Sequence, residues 1–155
     1  MPTDRGTGED RRVKAPSRDT DELLVILERT RDLTGALKAL DGDMQAPTFA
    51  QCLAQYMKEH GLNAAQLSDA ALLSRSFTYQ LCSGERRPSR DIILRLALVL
   101  ELSVAETQAL LRTAQRGALY PRVMRDAVII FALQNKMGVM ATDEQLLSRG
   151  LAGIL

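Results

Sequence analysis

The amino-acid sequence predicts an all-α fold, and two observations support this. Hydrophobic residues make up 46% of the chain but aromatic residues only 4%, with no tryptophan, which favours aliphatic helix packing over a β-sandwich. Apolar side chains also recur every three or four residues in successive segments, which are separated by helix-capping residues, glycines or prolines. A chain of 155 residues is long enough for one domain with a hydrophobic core and further segments around it.

The first 46 residues are predicted to form a tail and two short helices. Residues 1–19 are polar and contain prolines and glycines, so we expect a flexible, solvated tail. Thr20 or Asp21 caps a first helix, and Asp41-Gly42 ends a second one. Both helices are acidic and amphipathic, and we expect residues 20–46 to pack on the core or on a partner. Their apolar positions are Leu23, Leu24, Leu27, Leu33, Leu37 and Leu40.

Residues 47–118 are predicted to form the main domain. Pro47 and Thr48 start a helix that runs to His60, and Ser89 caps a later helix. Ser103 to Glu106 has the pattern of a capping box and opens a further helix, which Gly117 ends.

Between these helices, Leu62 to Ser89 reads as two short helices around a tight turn. Asn63 is the N-cap of a helix from Ala64 to about Ala70, and Ser74 is the N-cap of a second helix, Arg75 to Cys82. Gly84 closes the second helix. This pattern is typical of the helix-turn-helix motif of DNA-binding proteins. The alternative is an ordinary helical hairpin with a solvated arginine cluster.

The outer side of the second helix carries side chains suited to reading bases. Arginine can donate two hydrogen bonds to guanine, and glutamine can pair with adenine in the same bidentate manner. A helix in the major groove also needs phosphate contacts at its edges, and Arg86, Arg87 and Arg90 follow directly. The predicted base-reading residues are Arg75, Ser76, Tyr79 and Gln80.

Leu62 to about Leu111 resembles the Xre, or Cro/C1-type, helix-turn-helix domain of bacterial and phage repressors. The resemblance implies a lambda-repressor-like bundle of about five helices that reads operator DNA, usually as a dimer. It also implies backbone contacts at Ser83, Arg87 and Arg90. The matching residues are Leu62, Leu67, Leu73, Ser74, Leu81, Gly84, Arg86, Pro88, Ser89, Leu96, Ala97, Leu100, Leu102 and Ser103.

Three residues depart from the pattern of this family. Ala64 stands where a glutamine often contacts phosphate. Leu72 stands where the turn often has glycine; a left-handed leucine would cost about 1–2 kcal/mol, so a differently shaped turn is expected. Thr78 replaces an apolar residue, and its hydroxyl would need a partner if buried, so a rotated second helix with Phe77 inward is expected.

Residues 119–155 are predicted to form a C-terminal helical extension used for packing or dimerisation. Tyr120-Pro121 starts a segment whose stretch from Val123 to Leu133 is apolar nearly all round. Such a helix must be buried, either against the N-terminal helices or in a dimer seam. Thr142 begins a last helix, and the apolar tail after it docks in cis or on a second subunit. The tail's apolar residues are Leu151, Ile154 and Leu155.

The charge distribution favours specific over indiscriminate DNA binding. The net charge is only +1, but residues 74–95 contain five arginines against one glutamate and one aspartate, a local net charge of +3. Residues 21–46 are acidic. Three Tyr and three Phe, dispersed along the chain, offer no stacking platform for single strands.

Other classes of function find little support. Two cysteines and one histidine are too few for a four-ligand zinc site, and no phosphate loop, catalytic triad or cofactor motif is visible. No membrane span or signal core is recognisable, so a cytoplasmic, nucleoid-associated protein is expected. The sequence therefore predicts a homodimeric regulator that binds double-stranded DNA and represses transcription by blocking polymerase access, with activation as the alternative. The alternatives are an adaptor that has lost DNA binding and a regulator with a protein partner on its terminal helices.

Overall fold

A computed structural model describes residues 20–29, 32–39 and 46–155. Within these ranges the regular structure is helical, without strands, which confirms the all-α prediction. These described residues divide into two compact units, one lying within residues 1–46 and the other comprising residues 47–155. The predicted tail, Leu40 and the Asp41-Gly42 stop lie outside the described residues. The helices are α1 (Thr20–Arg29), α2 (Leu33–Ala39), α3 (Phe49–Glu59), α4 (Ala64–Ala71), α5 (Arg75–Ser83), α6 (Arg90–Val99), α7 (Val104–Thr113), α8 (Met124–Gln134) and α9 (Val139–Ser148).

The N-terminal unit contains the two predicted amphipathic helices, α1 and α2. Asp21 and Glu22 occupy the first turn of α1, where negative charge interacts favourably with the helix dipole. Leu24, Leu33 and Leu37 are exposed. Packing of these side chains on a partner stays a prediction.

The starts of the helices in the second unit follow from their capping residues. Thr48, Asn63 and Ser103 each accept a hydrogen bond from a backbone N–H three residues later, and the side chain at that later position bonds back to the cap. Ser74 and Ser89 cap α5 and α6 in the simpler one-bond manner. The predicted starts of α3 to α7 are therefore confirmed.

Residues 47–155 share one hydrophobic core. α5 packs against α3 and α4, while α6 contacts α4, α7, α8 and α9. Because α6 touches both α4 and the C-terminal helices, the extension folds together with the helix-turn-helix segment. Fully buried side chains at the centre include Leu53, Leu67, Leu81, Ile93, Leu96, Leu110 and Ile129.

The C-terminal boundaries differ from those predicted. α7 ends at Thr113 rather than at Gly117, because Gln115 takes a left-handed conformation with φ of 57°. α8 begins at Met124, after a turn that contains Pro121, and has no side-chain cap. α9 begins at Val139, so Thr142 is buried inside the helix rather than at its start.

The exposure of α8 corrects the expectation of a helix buried on all sides. Ile129 and Ala132 are completely buried, but Met124 and Phe131 remain 65% and 59% exposed. One face of α8 therefore belongs to the core and the other is an apolar surface. None of the helices in the described ranges is long and apolar enough to span a bilayer.

The C-terminal tail docks in cis. Ile154 is only 2% exposed, and the Asp143 carboxylate accepts hydrogen bonds from the backbone N–H groups of Ile154 and Leu155. Arg125 donates to the backbone carbonyls of Ala152 and Gly153. Of the two predicted alternatives, the structure has the intramolecular one.

Candidate nucleic-acid interface

The turn between α4 and α5 contains a left-handed leucine. Leu72 has φ 59° and ψ 44°, so the expectation of a differently shaped turn is wrong. The N–H of Leu72 bonds to Asp69 O at 3.3 Å and that of Leu73 to Ser68 O at 2.9 Å. These two bonds form a Schellman motif, which normally has glycine at the left-handed position.

Arg95, on α6, holds the carbonyls of this turn. Its Nε and Nη2 donate to Ala71 O at 3.1 and 2.7 Å, and Nη2 also donates to Leu72 O at 2.7 Å. Burial lowers the pKa of Arg95, and the nearby carboxylates of Asp91 and Asp143 partly offset this. Sequence reasoning counted Arg95 only as a positive charge, because no local pattern links a residue on α6 to this turn.

The orientation of α5 is set by Thr78 and Leu81, both of which are completely buried. The Thr78 hydroxyl donates to Ser74 O at 3.0 Å, one turn earlier in the same helix, so its burial leaves no unpaired donor. Phe77 is only half-buried. The expected rotation of α5, with Phe77 inward, is therefore wrong.

The four predicted base-reading residues lie on the side of α5 that faces solvent. Arg75, Ser76 and Tyr79 are exposed, and Gln80 is half-exposed. Arg75 forms an ion pair with Asp69 at 3.2 Å. With 59% and 67% of these two side chains exposed, the pair contributes little to stability and leaves Arg75 free to exchange partners.

Gln80 and Arg86 are directly linked. Arg86 Nε donates to Gln80 Oε1 at 2.8 Å, and the guanidinium lies over the Phe77 ring, 5.4 Å from its centroid. The hydrogen bond and the cation–π contact order a side chain that would otherwise be flexible. A predicted base reader and a predicted phosphate binder thus form one cluster.

Ser83 and Arg87 lie at the edge of this surface. Both are exposed. The Ser83 hydroxyl donates to Gln80 O at 3.1 Å, and one Nη2 hydrogen bond ties Arg87 to Ala114 O at 2.8 Å. Because an arginine has five N–H donors, Arg87 retains donors for a further partner.

Arg90 points into the protein. It donates to Gly117 O and Ala118 O and forms an ion pair with Asp126 at 2.9 Å, where the Arg90 side chain is 28% exposed. The phosphate-binding role predicted for Arg90 stays a prediction. Its internal partners make it a structural anchor of α6, separate from the cluster around Gln80.

The two cysteines behave as small apolar residues. Cys52 and Cys82 are unpaired and half-buried, and burial raises the pKa of both thiols. Cys82 Sγ lies 3.9 Å from Met57 Sδ. In the ranges that the structure covers, no group of three or more histidine, cysteine or acidic side chains is arranged to hold a metal ion.

Residues 48–110 match the family model of a helix-turn-helix domain. The match spans α3 to α6 and most of α7, and it includes every residue predicted to contact bases or phosphates. Comparisons with curated proteins and with solved structures gave no significant match. The chain therefore contains a helix-turn-helix domain. The match indicates a DNA-binding regulator in general terms, and domains of this family are typically non-enzymatic.

Proposed function

We propose that this protein is a sequence-specific transcriptional regulator of the Xre (Cro/C1) type that reads the major groove with α5. The observation that carries the proposal is the outward face of α5. It presents Arg75, Ser76, Tyr79 and Gln80 together on a helix whose opposite side is packed into the core. In helix-turn-helix proteins the N-terminal part of the second helix contacts base edges.

Arg75 and Gln80 are the strongest candidates for direct readout. Arg75 lies in the first turn of α5, and among the described residues its side chain pairs with the exposed Asp69 alone. A guanine edge offers two acceptors in place of that carboxylate, and the Gln80 amide offers both a donor and an acceptor to adenine. We expect Arg86 to exchange its bond to Gln80 for a phosphate when DNA binds.

Phosphate contacts in this proposal come mainly from Arg86 and Arg87. Arg90 and Arg95, the inward-turned arginines of residues 74–95, bond to backbone carbonyls, and Arg90 also pairs with Asp126. Two cationic contacts per copy, or four in a dimer, predict a slope of about −4 for log K against log salt.

A homodimer fits the exposed apolar face of α8. Met124 and Phe131 lie seven residues apart, which is two helical turns, on a surface that a second copy can cover. Two copies related by a two-fold axis would place two α5 helices in successive major grooves. Bound to an operator in the cytoplasm, such a dimer would repress by blocking polymerase access.

An adaptor function is the second candidate. The inward-turned Arg90 and Arg95 leave less positive charge on the surface than the sequence suggests, and Ala64 provides no side-chain donor to a phosphate. An adaptor would use the apolar faces of the terminal helices and would show no salt-dependent affinity for DNA.

A salt titration with matched variants separates the two functions. The probes are double-stranded DNA from upstream of the protein's own gene and a scrambled duplex of equal length. The test variant is Arg75→Ala/Gln80→Ala, and the control is Arg112→Ala, which changes an exposed arginine of α7. A regulator that acts on its own promoter shows a slope of about −4, loses sequence preference in the double variant and keeps it in the control. Absence of salt-dependent affinity in the wild type would support the adaptor, whereas equal affinity and preference in all three proteins would show that α5 does not read the DNA.

A further inference from the structure

We propose that Arg95 is a positioning residue for the reading helix, holding α5 in place through the backbone of the turn before it. The inference rests on the proposed DNA-binding function and adds a residue to it. Arg95 lies on α6, outside both helices of the helix-turn-helix motif and away from the outward face of α5.

The guanidinium binds two carbonyls that the hydrogen bonds of the turn itself do not use. The Schellman bonds use Ser68 O and Asp69 O, near the end of α4. Arg95 binds two carbonyls further along, with two hydrogen bonds to Ala71 O and one to Leu72 O. A planar fork of N–H donors suits this geometry, because two donors can reach one carbonyl while one of them also reaches its neighbour.

These hydrogen bonds compensate for the unfavourable conformation of Leu72. Leu72 is left-handed, a conformation that glycine adopts without steric cost and leucine does not. Leu72 is also 51% exposed, so its own side-chain packing contributes little to holding the turn. Charge-assisted bonds from a partly buried arginine are strong enough to stabilise such a conformation.

The turn transmits this constraint to the reading surface. Leu72 and Ser74 are two residues apart, and Ser74 is the N-cap of α5. A shift of the Leu72 carbonyl therefore moves the start of α5 and, with it, Arg75. Because readout of a base edge depends on hydrogen-bond geometry, a loosened turn reduces affinity for the specific site more than for other DNA.

The test measures the ratio of specific to non-specific DNA affinity at fixed salt. It compares the wild type, Arg95→Lys and Arg95→Met with Leu72→Gly alone and with Leu72→Gly combined with each Arg95 change. The probes are a double-stranded site that the wild type selects from a random pool and a scrambled duplex of equal length. We expect Arg95→Met to lower the ratio about tenfold, equivalent to about 1.4 kcal/mol. Arg95→Lys keeps the charge but not the planar fork of donors, so its affinity ratio should lie between those of the wild type and Arg95→Met. In the Leu72→Gly background the loss should shrink, because glycine accepts the left-handed turn unaided.

Each outcome decides one question. Suppose that the wild type selects a site, but folded Arg95→Lys and Arg95→Met have the same ratio of specific to non-specific affinity as the wild type. Arg95 then does not position α5. The same conclusion follows if the Arg95 changes lower this ratio equally with leucine and with glycine at position 72. If Arg95→Met fails to fold, Arg95→Lys decides by the same criterion. If the wild type selects no site, the proposed DNA-reading function has failed, and the Arg95 inference fails with it.

Discussion

Arg90 and Asp126 form a doubly hydrogen-bonded ion pair between α6 and α8, with nitrogen–oxygen distances of 3.2 and 2.9 Å. The neighbouring residues pair in the opposite sense, Asp91 accepting from Arg125 at 2.9 and 3.2 Å. Each helix thus has an arginine followed directly by an aspartate, and each of these residues pairs with the oppositely charged residue of the other helix. This reciprocal pairing ties the helix after the basic cluster to the C-terminal extension.

Replacing Asp126 with asparagine is expected to destabilise the protein by about 2–3 kcal/mol, because it leaves the Arg90 charge without its counter-charge in a largely buried site. Asparagine keeps one oxygen that can still accept from the Tyr120 N–H, so the expected loss comes from the ion pair with Arg90. Urea unfolding followed by circular dichroism measures the change. The matched control is Asp69→Asn, which breaks the exposed pair with Arg75 and should cost no more than about 1 kcal/mol. Equal costs for the two variants would contradict a special role for the α6–α8 pair.

The docked C-terminal tail predicts a stability effect rather than an assembly effect. Ile154→Ala should lower the free energy of unfolding by about 2–4 kcal/mol, since it removes a buried aliphatic side chain. Leu155→Ala, at a half-exposed position, should have a much smaller effect. Because the tail docks in cis, removing residues 151–155 should lower the melting temperature without changing the molar mass by light scattering. A lower molar mass would mean that the tail also contacts a second subunit.

Thr78→Val tests why a threonine is tolerated at a buried position of α5. Ser74 O accepts from both the hydroxyl and the backbone N–H of Thr78, so valine leaves that carbonyl paired. We expect a change in unfolding free energy within about 1 kcal/mol, of either sign. Thr78→Ala leaves a cavity and should cost more. A large loss in the valine variant would show that the hydroxyl itself is required.

The raised thiol pKa values predict a pH dependence of stability. Burial raises the pKa of Cys52 and Cys82 above the ordinary value of 9.0, so above that pH the unfolded chain loses protons that the folded protein keeps. Their contribution is fully present below pH 9 and falls as the pH rises further. Urea midpoints at about pH 8 and 10 should decrease less in a Cys52→Ala/Cys82→Ala variant than in the wild type. An equal decrease of the urea midpoint in the two proteins would show that the pH dependence does not come from Cys52 and Cys82.

Local capping chemistry made the helix starts of the central domain predictable. Thr48, Asn63, Ser74, Ser89 and Ser103 are all N-caps, because their side-chain oxygens accept backbone N–H bonds within one turn. Such contacts involve residues three apart in sequence, so the sequence itself shows them.

The errors arose where distant residues decide the conformation. The left-handed conformation of Leu72 was not predicted, because the hydrogen bond that Arg95, 23 residues later, donates to its carbonyl is not part of a local sequence pattern. The ion pair between Arg90 and Asp126, which joins residues 36 apart, was not predicted from the sequence, and the phosphate-binding role predicted for Arg90 stays a prediction. α8 and α9 have no side-chain caps, and their starts were accordingly misplaced. The roles of the α5 side chains on DNA stay predictions, because only DNA can test them.

Selection of bound double-stranded DNA from a random pool tests the central claim most directly, with the wild type and Arg75→Ala/Gln80→Ala compared in parallel. The account predicts that the wild type enriches one motif with two symmetric half-sites about 10 base pairs apart, or a multiple of that spacing. It also predicts that the double variant loses that motif while its circular dichroism spectrum is unchanged. No enriched motif with the wild type, or the same motif with the double variant, would contradict the claim that α5 reads DNA.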